Sequence, residues 1–402
     1  MTTSNMQFNG NFTQQECIPE DAIKAAVSVM QSGRLHRYNV TADEQISETA
    51  ALEVEFARYQ KQKYCLACAS GGYALQLALR ALDVKPDEPV LTNGFTLSPV
   101  PGAIAAVGAQ PVLVECTSDL VIDLDHLEYQ IRNSKARVLL LSHMRGHLVD
   151  MDDLCARLQA HSVALIEDCA HTMGASFNGR KSGTHGVLAC FSTQTYKHIN
   201  SGEGGLLTSD NEALMATAIV LSGSYMLFER HIAAPEPDIF ETIKLQTPNC
   251  SGRMDNLRAA ILRPQLARLD ESAKRWNERY DAFAEGLKAA SNSIVLPQRH
   301  PLAHEVPSSI QFSIERYTDE QNQYFLESCS KRGVDLKWFG AKDPKAYTSR
   351  YDSWEYIQTQ QLPHTDKILH RLYDCRLPLT FSVSDCQFIG ELIASVDAEI
   401  NS

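Results

Sequence analysis

Short apolar runs alternate with segments of helical periodicity along the middle of the chain, from residue 64 to residue 223. The apolar runs are of strand length, and most of the early ones are separated by segments whose apolar positions recur at helical spacing. Strands are predicted at residues 64–69, 89–92, 111–116, 137–143, 163–167, 187–192 and 205–208. This order is typical of an α/β fold, in which helices cover a mostly parallel sheet and ligands bind at the carboxyl ends of the strands.

The pattern changes after this region. Residues 224–250 lack regular periodicity, and a long helix is predicted at residues 255–290. The other predicted elements are helices at residues 19–30, 49–60, 73–82, 151–160 and 386–400 and strands at residues 310–314 and 334–339. We therefore expect two domains. Residues 1–255 form an N-terminal segment and a large ligand-binding domain, and residues 256–402 form the connecting helix and a smaller α+β domain.

The composition is that of a globular protein. Of 402 residues, 44% are hydrophobic and 21% charged, with only 21 glycines and 16 prolines. The formal net charge is −12 and neither sign is concentrated in one block, so neither a nucleic-acid surface nor a basic membrane patch is expected. Any anionic ligand must therefore be held by a local site.

The start of the sequence lacks the basic and apolar regions of a secretory signal, and no apolar run approaches the roughly 20 residues that span a bilayer. The 11 cysteines, an odd number, lie mainly in apolar segments, which suits reduced thiols. We expect a cytoplasmic protein without a membrane segment. Cys65 and Cys68 have the spacing of redox and zinc motifs, but no second pair follows and their segment reads as a buried strand. No metal site is predicted.

The first predicted strand is followed by Ser70, Gly71 and Gly72, which open a helix. Glycines there let backbone N–H groups approach an anion, and a helix N-terminus favours a phosphate. The segment matches neither the dinucleotide-binding glycine pattern nor a Walker loop. An ordinary tight turn between strand and helix is the alternative.

The fifth predicted strand ends in Glu167 and Asp168, and His171 follows three residues after Asp168. A carboxylate at a buried strand end needs a cationic or protonated partner, because an unpaired buried charge is costly or shifts its pKa upward. The alternatives are a helix cap for Asp168 and a hydrogen-bonded core histidine for His171.

The sixth predicted strand runs into Ser192, then Lys197, then a glycine-rich turn at residues 202–205. Lys197 is either a surface residue with a solvated ammonium group or a Schiff-base nucleophile in a desolvated, cation-rich pocket. Together, the three strand ends offer a phosphate cradle, a carboxylate for a pyridinium nitrogen and an amine for an aldehyde. That set describes a pyridoxal 5'-phosphate (PLP) site.

The chain resembles the DegT/StrS-type sugar aminotransferases, a family of fold type I PLP enzymes, over nearly its whole length. The matching segments are Ser70-Gly71 with Ala74-Leu75, residues 107–112, Asp150-Met151-Asp152, Glu167-Asp168 with His171 and Gly174-Ala175, Phe191-Ser192, Lys197, residues 202–205, and Arg253-Met254 with Ala259-Ala260. The resemblance implies a large domain with a mixed, mostly parallel seven-stranded sheet covered by helices, and a smaller α+β C-terminal domain.

The resemblance also implies roles for single residues. Lys197 would form the internal aldimine with PLP and then move the proton between the substrate carbon and the cofactor. Asp168 would pair with the pyridine nitrogen and keep it protonated, which makes the ring an electron sink. His171 stands where the family has His or Gln near the phenolic oxygen of the cofactor.

The expected phosphate site and ring contact depart from the family pattern. Ser192 and the backbone of Gly71 and Gly72 would hold the phosphate, but the family commonly has Thr where this chain has Gly72. Leu97 aligns with a position that usually carries an aromatic ring stacked on the cofactor. Leu97 would supply dispersion contact without ring stacking.

A homodimer with shared active sites is implied as well. In the family, an Asn two residues before an Arg-Met pair reaches the cofactor phosphate of the partner subunit. Ser251 occupies the corresponding position here, and Asn249 is close enough in sequence to be the alternative.

The expected reaction is transfer of an amino group from an amino acid, glutamate or glutamine, to a keto-sugar, often nucleotide-linked, through pyridoxamine phosphate. A PLP-dependent sugar dehydratase is the nearest alternative, although such members replace the lysine by His and this chain has Lys197. Amination of a cyclitol or another ketone belongs to the same reaction class. A non-catalytic regulatory protein with the same fold is the alternative from a different class.

The irregular stretch after residue 223 is a candidate for substrate specificity, with a solvated surface insertion as the alternative. Side chains considered for substrate contact, there and elsewhere, are Tyr225, Arg230, His231, Arg34, Arg37, Tyr38, Lys337, Trp338 and Arg350.

Overall fold

The computed structural model describes residues 6–40, 46–289, 291, 293–342 and 350–401. The strands are β1 (Tyr64–Cys68), β2 (Pro89–Asn93), β3 (Gln110–Val114), β4 (Val138–Ser142), β5 (Ala164–Asp168), β6 (Ser176–Phe177), β7 (Arg180–Lys181), β8 (Leu188–Ser192), β9 (Gly205–Ser209), β10 (Ile294–Val295), β11 (Ala303–His304), β12 (Ser309–Ile314), β13 (Lys337–Trp338) and β14 (Leu372–Arg376). The helices are α1 (Glu20–Ser32), α2 (Glu48–Gln60), α3 (Gly71–Ala81), α4 (Pro99–Ala106), α5 (Leu124–Ser134), α6 (Met151–Ala160), α7 (Glu212–Leu221), α8 (Pro237–Ile243), α9 (Asn256–Leu266), α10 (Leu269–Lys288), α11 (Asp319–Lys331), α12 (Pro363–Leu369) and α13 (Val383–Ile400).

The seven strands predicted in the middle of the chain form one sheet in the order β1-β9-β8-β5-β4-β2-β3. Its strands β8, β5, β4, β2 and β3 are parallel, and β9 runs antiparallel to both β1 and β8. Every residue of β4 and β8 is buried, as expected for strands covered on both faces. The expected fold class is confirmed, and the carboxyl ends of β1, β2, β4, β5 and β8 all lie at one edge.

The C-terminal part of the chain forms a four-stranded antiparallel sheet in the order β10-β12-β14-β13. Helices α10 and α13 contribute Phe283, Leu287, Ile389 and Ile393 to the core beneath it, and all four side chains are buried. This apolar packing sets the second sheet against the first.

Three predictions about regular structure are wrong. The helix expected at residues 255–290 is two helices, α9 and α10, separated at residues 267–268, and residue 290 lies outside the described part of the chain. Arg268 leaves helical geometry at φ −105° and ψ 2°, shortly after Pro264, which lacks the N–H that a helix interior needs. Apolar periodicity continues across the break, so the pattern alone did not mark it.

The segment expected to be irregular, residues 224–250, contains α8, which buries Phe240 against Phe228 with ring centroids 4.4 Å apart. Conversely, the strand expected at residues 334–339 is reduced to the two residues of β13.

In the described parts of the chain, no helix combines the length and the apolarity needed to cross a bilayer.

Both edge strands of the seven-stranded sheet have partners. At the β1 edge, the amides of Cys65 and Ala69 donate to backbone carbonyls of the chain that follows α7, at 3.0 and 2.7 Å. Between them, the amide of Ala67 donates to Glu53 Oε1 at 2.8 Å. The side chain of a helix residue thus takes the place of a strand.

At the β3 edge, the side chain of Gln360 forms hydrogen bonds with the backbone of the edge strand. Its Oε1 accepts from the amide of Leu113 at 2.8 Å, and its Nε2 donates to the carbonyl of Pro111 at 2.9 Å. Pro111 itself has no N–H to satisfy, which is why proline is tolerated in an edge strand.

Candidate active site

A cavity of about 1100 Å³ lies at the carboxyl edge of the seven-stranded sheet. Its walls come from the segments that follow β1, β2, β4, β5 and β8 and, opposite them, from the four-stranded sheet and α10. Seven of the nine predicted site residues line it, namely Gly71, Gly72, Leu97, Asp168, His171, Ser192 and Lys197. The other two, Asn249 and Ser251, are exposed and lie outside this cavity.

Helix α3 begins at the cavity wall, and its first turn contains no acidic residue. The side chain of Ser70 caps the helix by accepting a hydrogen bond from the amide of Tyr73 at 3.1 Å. The amides of Gly71 and Gly72 therefore remain available to an anion at the positive end of the helix dipole.

The two glycines differ in their surroundings. A Cβ on Gly71 would lie 2.8 Å from Ser192 Cβ, so only glycine allows β8 and the start of α3 to approach this closely. A Cβ on Gly72 would meet nothing within 4 Å. Gly71 is thus required by packing, whereas Gly72 leaves open space in the cradle.

Asp168 ends β5, and the residue is 7% exposed. Its Oδ2 accepts a hydrogen bond from Ser142 Oγ, and its Oδ1 accepts one from the amide of Ala170, both at 3.1 Å. Burial raises the pKa of Asp168, although the ammonium group of Lys197 opposes that shift. A carboxylate in this position favours a cationic or protonated ligand atom beside it.

Lys197 lies in the loop between β8 and β9, and its Nζ is 3.1 Å from His171 Nε2. Burial, with the nearby cations Arg145 and Arg376, lowers the pKa of Lys197 to about 8, against the opposing effect of Asp168. The pKa of His171 is lowered well below its usual range by burial and then by Lys197. The site therefore presents a nucleophilic amine beside a neutral imidazole at neutral to mildly basic pH.

These residues fit PLP. The cradle between α3 and Ser192 suits a phosphate, buried Asp168 suits a protonated pyridine nitrogen, and the desolvated amine of Lys197 suits an aldehyde. The α/β fold with this set of side chains defines a fold type I PLP-dependent enzyme.

Comparison with known proteins identifies the family within this class of enzymes. Residues 16–391 match the model of the DegT/DnrJ/EryC1/StrS aminotransferase family, and the chain belongs to this family. The family consists of PLP-dependent aminotransferases, in agreement with the cofactor inferred from the residues.

Individual relatives resemble the chain over part of its length. It is 29% identical over 231 residues to a "pleiotropic regulatory protein" of Geobacillus stearothermophilus, covering 56% of this chain and 57% of the relative. It is 30% identical over 266 residues to the dTDP-3-amino-3,4,6-trideoxy-alpha-D-glucose transaminase of Streptomyces venezuelae, covering 64% of this chain and 65% of the relative. In both, the chain matches less than two thirds of the relative's length.

The fold is shared over almost the whole chain. The crystal structure of S. venezuelae DesV in complex with a ketimine intermediate has a TM-score of 0.76, is 25% identical, and is matched over 93% of both chains.

Among the side chains considered for substrate contact, the structure brings only Lys337 to this cavity. Arg37 is 1% exposed and holds Glu53 through two hydrogen bonds of 2.9 and 2.8 Å. His231 Nδ1 lies 3.1 Å from the same guanidinium, and the hydroxyl of Tyr38 bonds to His231 Nε2 at 2.8 Å. We name these four residues the Arg37–Glu53 network. Arg37 and Tyr38, which were considered for substrate contact, are instead used in this buried structural contact.

Ser142, Arg145 and Arg376 are among the cavity residues that the sequence pattern did not single out. Ser142 ends β4, so the rule that ligands collect at strand ends was sufficient to find it. Arg145 lies in the turn that follows β4, and Arg376 ends a strand of the other, antiparallel sheet, to which this rule does not apply.

The cysteine pair behaves as expected from a buried strand. Cys65 and Cys68 are fully buried free thiols in β1. Burial raises the pKa of Cys68 to about 12 and that of Cys65 well above its usual value. Neither thiol is suited to redox chemistry or metal binding in this state.

His143, Glu167 and Cys169, which are buried, also lie close together, with ligand atoms within 4.8 Å of one another. Glu167 accepts hydrogen bonds from three backbone amides of residues 183–186 at 2.7 to 2.9 Å, and His143 Nε2 lies 3.1 Å from it. These bonds occupy both carboxylate oxygens. The cluster is therefore explained as a structural contact that joins β5 to the loop before β8.

Proposed function

We propose that the protein is a PLP-dependent aminotransferase that moves an amino group from glutamate or glutamine to a keto-sugar, most simply a nucleotide-linked one. The observation that carries this proposal is that the half-buried amine of Lys197 lies in one cavity with the buried carboxylate of Asp168. Desolvation lowers the pKa of that amine to about 8. Family membership and the sugar transaminase of S. venezuelae support the class of acceptor.

When bound, PLP supplies an electron-withdrawing ring that stabilises negative charge on the carbon beside the transferred nitrogen. With the cofactor bound, Lys197 Nζ would move the proton between that carbon and the C4′ carbon of the cofactor, on the other side of the nitrogen. Asp168 would keep the ring nitrogen protonated, and its carboxylate is fixed by hydrogen bonds from the hydroxyl of Ser142 and the amide of Ala170. His171, kept neutral by burial, orients the amine at 3.1 Å.

The proposed active unit is a homodimer in which Asn249 or Ser251 reaches the cofactor phosphate of the partner subunit. The exposed position of both side chains, away from the cavity of their own chain, supports this arrangement. Such a contact would offset the hydroxyl that Gly72 lacks.

The dehydratase alternative depends on His at the lysine position, for which His198 is the nearest candidate. His198 Nε2 lies 2.9 Å from the carbonyl of Val306, and the side chain is buried. This contact gives His198 a structural role. The position of Lys197 beside His171 therefore favours amino transfer. The regulatory alternative is favoured by one observation, the name of the Geobacillus relative.

The test is spectroscopic. Purified protein loaded with PLP should show the visible absorbance of a lysine-bound cofactor, and glutamate or glutamine should bleach it. Lys197→Ala should remove that absorbance, whereas His198→Gln, the matched control next in sequence, should retain it. Absorbance that survives in Lys197→Ala would refute the assignment of the lysine. A loaded protein that no amino acid bleaches would favour the regulatory alternative.

A further inference from the structure

The turn that follows β4, residues 143–147, is joined to the four-stranded sheet by hydrogen bonds. Arg145 pairs with Asp374 of β14 at 2.7 Å, and His147 Nε2 lies 2.8 Å from Gln311 Oε1 of β12. Gln311 and Asp374 face each other across these two strands, and Gln311 Nε2 donates to Asp374 Oδ1 at 2.6 Å. We name these four residues the inter-sheet network. It is a closed ring, because it leaves the turn at Arg145 and returns to it at His147.

The direction of each hydrogen bond in this ring is determined. The carboxylate of Asp374 only accepts, so the Gln311 atom beside it is the amide nitrogen. The carbonyl oxygen of Gln311 is then the acceptor that faces His147, and His147 Nε2 is the donor. Replacing either side chain by an apolar one therefore opens the ring.

The network lies mostly away from solvent. Gln311, Asp374 and His147 are buried, and the side chain of Arg145 is 13% exposed. Buried hydrogen bonds fix geometry, because a polar group left without its partner there is costly. Arg145 and Asp374 line the cavity, whereas Gln311 and His147 lie outside it. The ring thus connects the cavity wall to side chains that touch no ligand.

The same turn contacts the backbone of two residues of the site. The amide of His143, at the start of the turn, donates to the carbonyl of Asp168 at 3.2 Å. Gly146 packs so closely against His171 that a Cβ on Gly146 would lie 3.1 Å from the carbonyl oxygen of His171. A shift of the turn would therefore move both Asp168 and His171, whose Nε2 is 3.1 Å from Lys197 Nζ.

The turn needs outside contacts to keep its shape. Arg145 has φ 59° and ψ 11°, in the left-handed region that a residue with a Cβ rarely adopts, and Gly146 follows with φ 94°. Such a conformation persists where the surrounding structure fixes it. The network supplies a contact on each side of Gly146, through Arg145 and through His147.

We propose that Gln311 and His147 are positioning residues for the reaction, which hold the turn after β4 so that Asp168 and His171 keep their places around Lys197. This inference rests on the proposed function. Both residues act through the turn and not by contact with the cofactor. The phosphate cradle, formed by the start of α3 and Ser192, contains no member of the network. Loss of the ring should therefore slow the chemical step more than it weakens cofactor binding.

Three variants of the PLP-loaded protein test the ring. Gln311→Met and His147→Phe each open it, whereas His147→Gln keeps an N–H donor near the position of Nε2. Single-turnover bleaching by saturating glutamate should be about 10- to 100-fold slower in the first two, because small displacements of reacting groups have effects of this size. The rate with His147→Gln should lie within about threefold of the parent, since the donated bond is retained.

Two further measurements separate positioning from binding. The dissociation constant for PLP should stay within about threefold of the parent in all three variants, because the cradle is untouched. Combining Gln311→Met with His147→Phe should slow bleaching little more than the slower single change does, because both changes open the same ring. Multiplied effects would mean that the two side chains act independently, which contradicts the proposal.

The matched control is Asn322→Leu. Asn322 is another buried amide beside the four-stranded sheet, and it accepts a hydrogen bond from the hydroxyl of Tyr373, the neighbour of Asp374 in β14. Thermal melting establishes that each variant is folded, and the control should melt at a lower temperature than the parent, as the ring variants do. Its bleaching rate should remain within about twofold of the parent, because its contact is not part of the ring.

Visible circular dichroism of the loaded protein tests the network without turnover. The signal per bound PLP should fall by about half or more in Gln311→Met and His147→Phe, because the groups around the ring are no longer held in one arrangement. It should be retained in His147→Gln and Asn322→Leu. Parent signals and rates in both ring-opening variants, or equal losses in Asn322→Leu, would overturn the proposal. If no amino acid bleaches the loaded parent, the proposed function fails, and the dichroism still decides the role of the network.

Discussion

Two pairs of opposite charge, Arg37 with Glu53 and Lys197 with Asp168, are constructed differently. In the Arg37–Glu53 network, two direct hydrogen bonds join the guanidinium to the carboxylate, and Arg37 and His231 lower the pKa of Glu53 to about 2 against the effect of burial. At the cavity, burial prevails over the attraction between Lys197 and Asp168. The pKa of the amine falls to about 8 and that of the carboxyl rises.

The two pairs differ in the hydrogen-bond partners that the protein provides for their charged groups. Glu53 has its strong hydrogen bonds within the protein, so its charge stabilises the fold. Asp168 and Lys197 face a cavity, and their charges are left for a ligand to satisfy. A buried pair with shifted pKa values and open space beside it is characteristic of a functional site, whereas a closed pair of the same residue types is structural.

The same chemical change should have opposite consequences in the two pairs. Asp168→Asn is expected to lower kcat about 10²- to 10⁴-fold, because an amide does not hold a proton on the ring nitrogen. The free energy of unfolding should change by less than about 1 kcal/mol, since an amide still accepts from the amide of Ala170 and the hydroxyl of Ser142 can reverse its hydrogen bond. Steady-state kinetics and denaturant titration measure the two quantities, and full activity would contradict the role of Asp168.

Glu53→Gln should instead destabilise the fold. We expect a loss of about 3–5 kcal/mol in the free energy of unfolding at pH 7, because Arg37 is left charged and buried without a counter-ion. The lowered pKa means that Glu53 stabilises the protein above its unfolded pKa of 4.5 and that this contribution disappears as the pH falls towards 2. The deficit of the variant in urea titrations should therefore shrink between pH 4.5 and 2. A constant deficit across that range would show that packing, not charge, is lost.

The lowered pKa of Lys197 should be visible in how fast the cofactor-free protein captures PLP. The neutral amine is the nucleophile, so the rate should rise about tenfold per pH unit below pH 8 and level off above it. Stopped-flow absorbance between pH 6.5 and 9.5 measures this rate. A rate that continues to rise towards pH 10.5 would mean that the amine is not desolvated.

The smallest effect is expected at the phosphate cradle. Gly72→Thr introduces a hydroxyl into open space and should tighten PLP binding about two- to tenfold, the gain typical of one added hydrogen bond. Gly71→Ala is the matched comparison and should weaken binding, since its Cβ would lie 2.8 Å from Ser192 Cβ. The dissociation constants follow from fluorescence titration of the cofactor-free variants. Looser binding by Gly72→Thr would mean that the cradle has no room.

Much of the fold followed from the sequence because buried parallel strands are marked by continuous apolar runs, with clear ends. Asp168 and Ser192 were located by those ends, and parallel strand ends must meet at one edge of the sheet. The roles assigned to these residues, the pairing of Asn249 or Ser251 with a partner subunit and the division at residue 255 stay predictions.

What the sequence did not reveal is set by long-range contacts. Arg145 and Arg376 come from turns and strand ends of different sheets, and no local pattern distinguishes a cavity arginine from a surface arginine. Arg37 is the reverse case, a considered contact residue that is structural, because its pairing with Glu53 and His231 depends on the packing of α2 and of the chain after α7. The break between α9 and α10 was hidden by apolar periodicity that continues across it, with Pro264 as the only local warning.

The side chains of Glu53 and Gln360 at the two ends of the seven-stranded sheet affect how the protein behaves in a crowded solution. An edge strand with free amides is a template on which another chain can add itself and begin an aggregate. Here the outward amides of Cys65, Ala67 and Ala69 at one edge and of Leu113 at the other already have acceptors. A sheet whose strands are among the most apolar segments of the chain therefore ends, on both sides, without offering a strand-pairing surface to its neighbours.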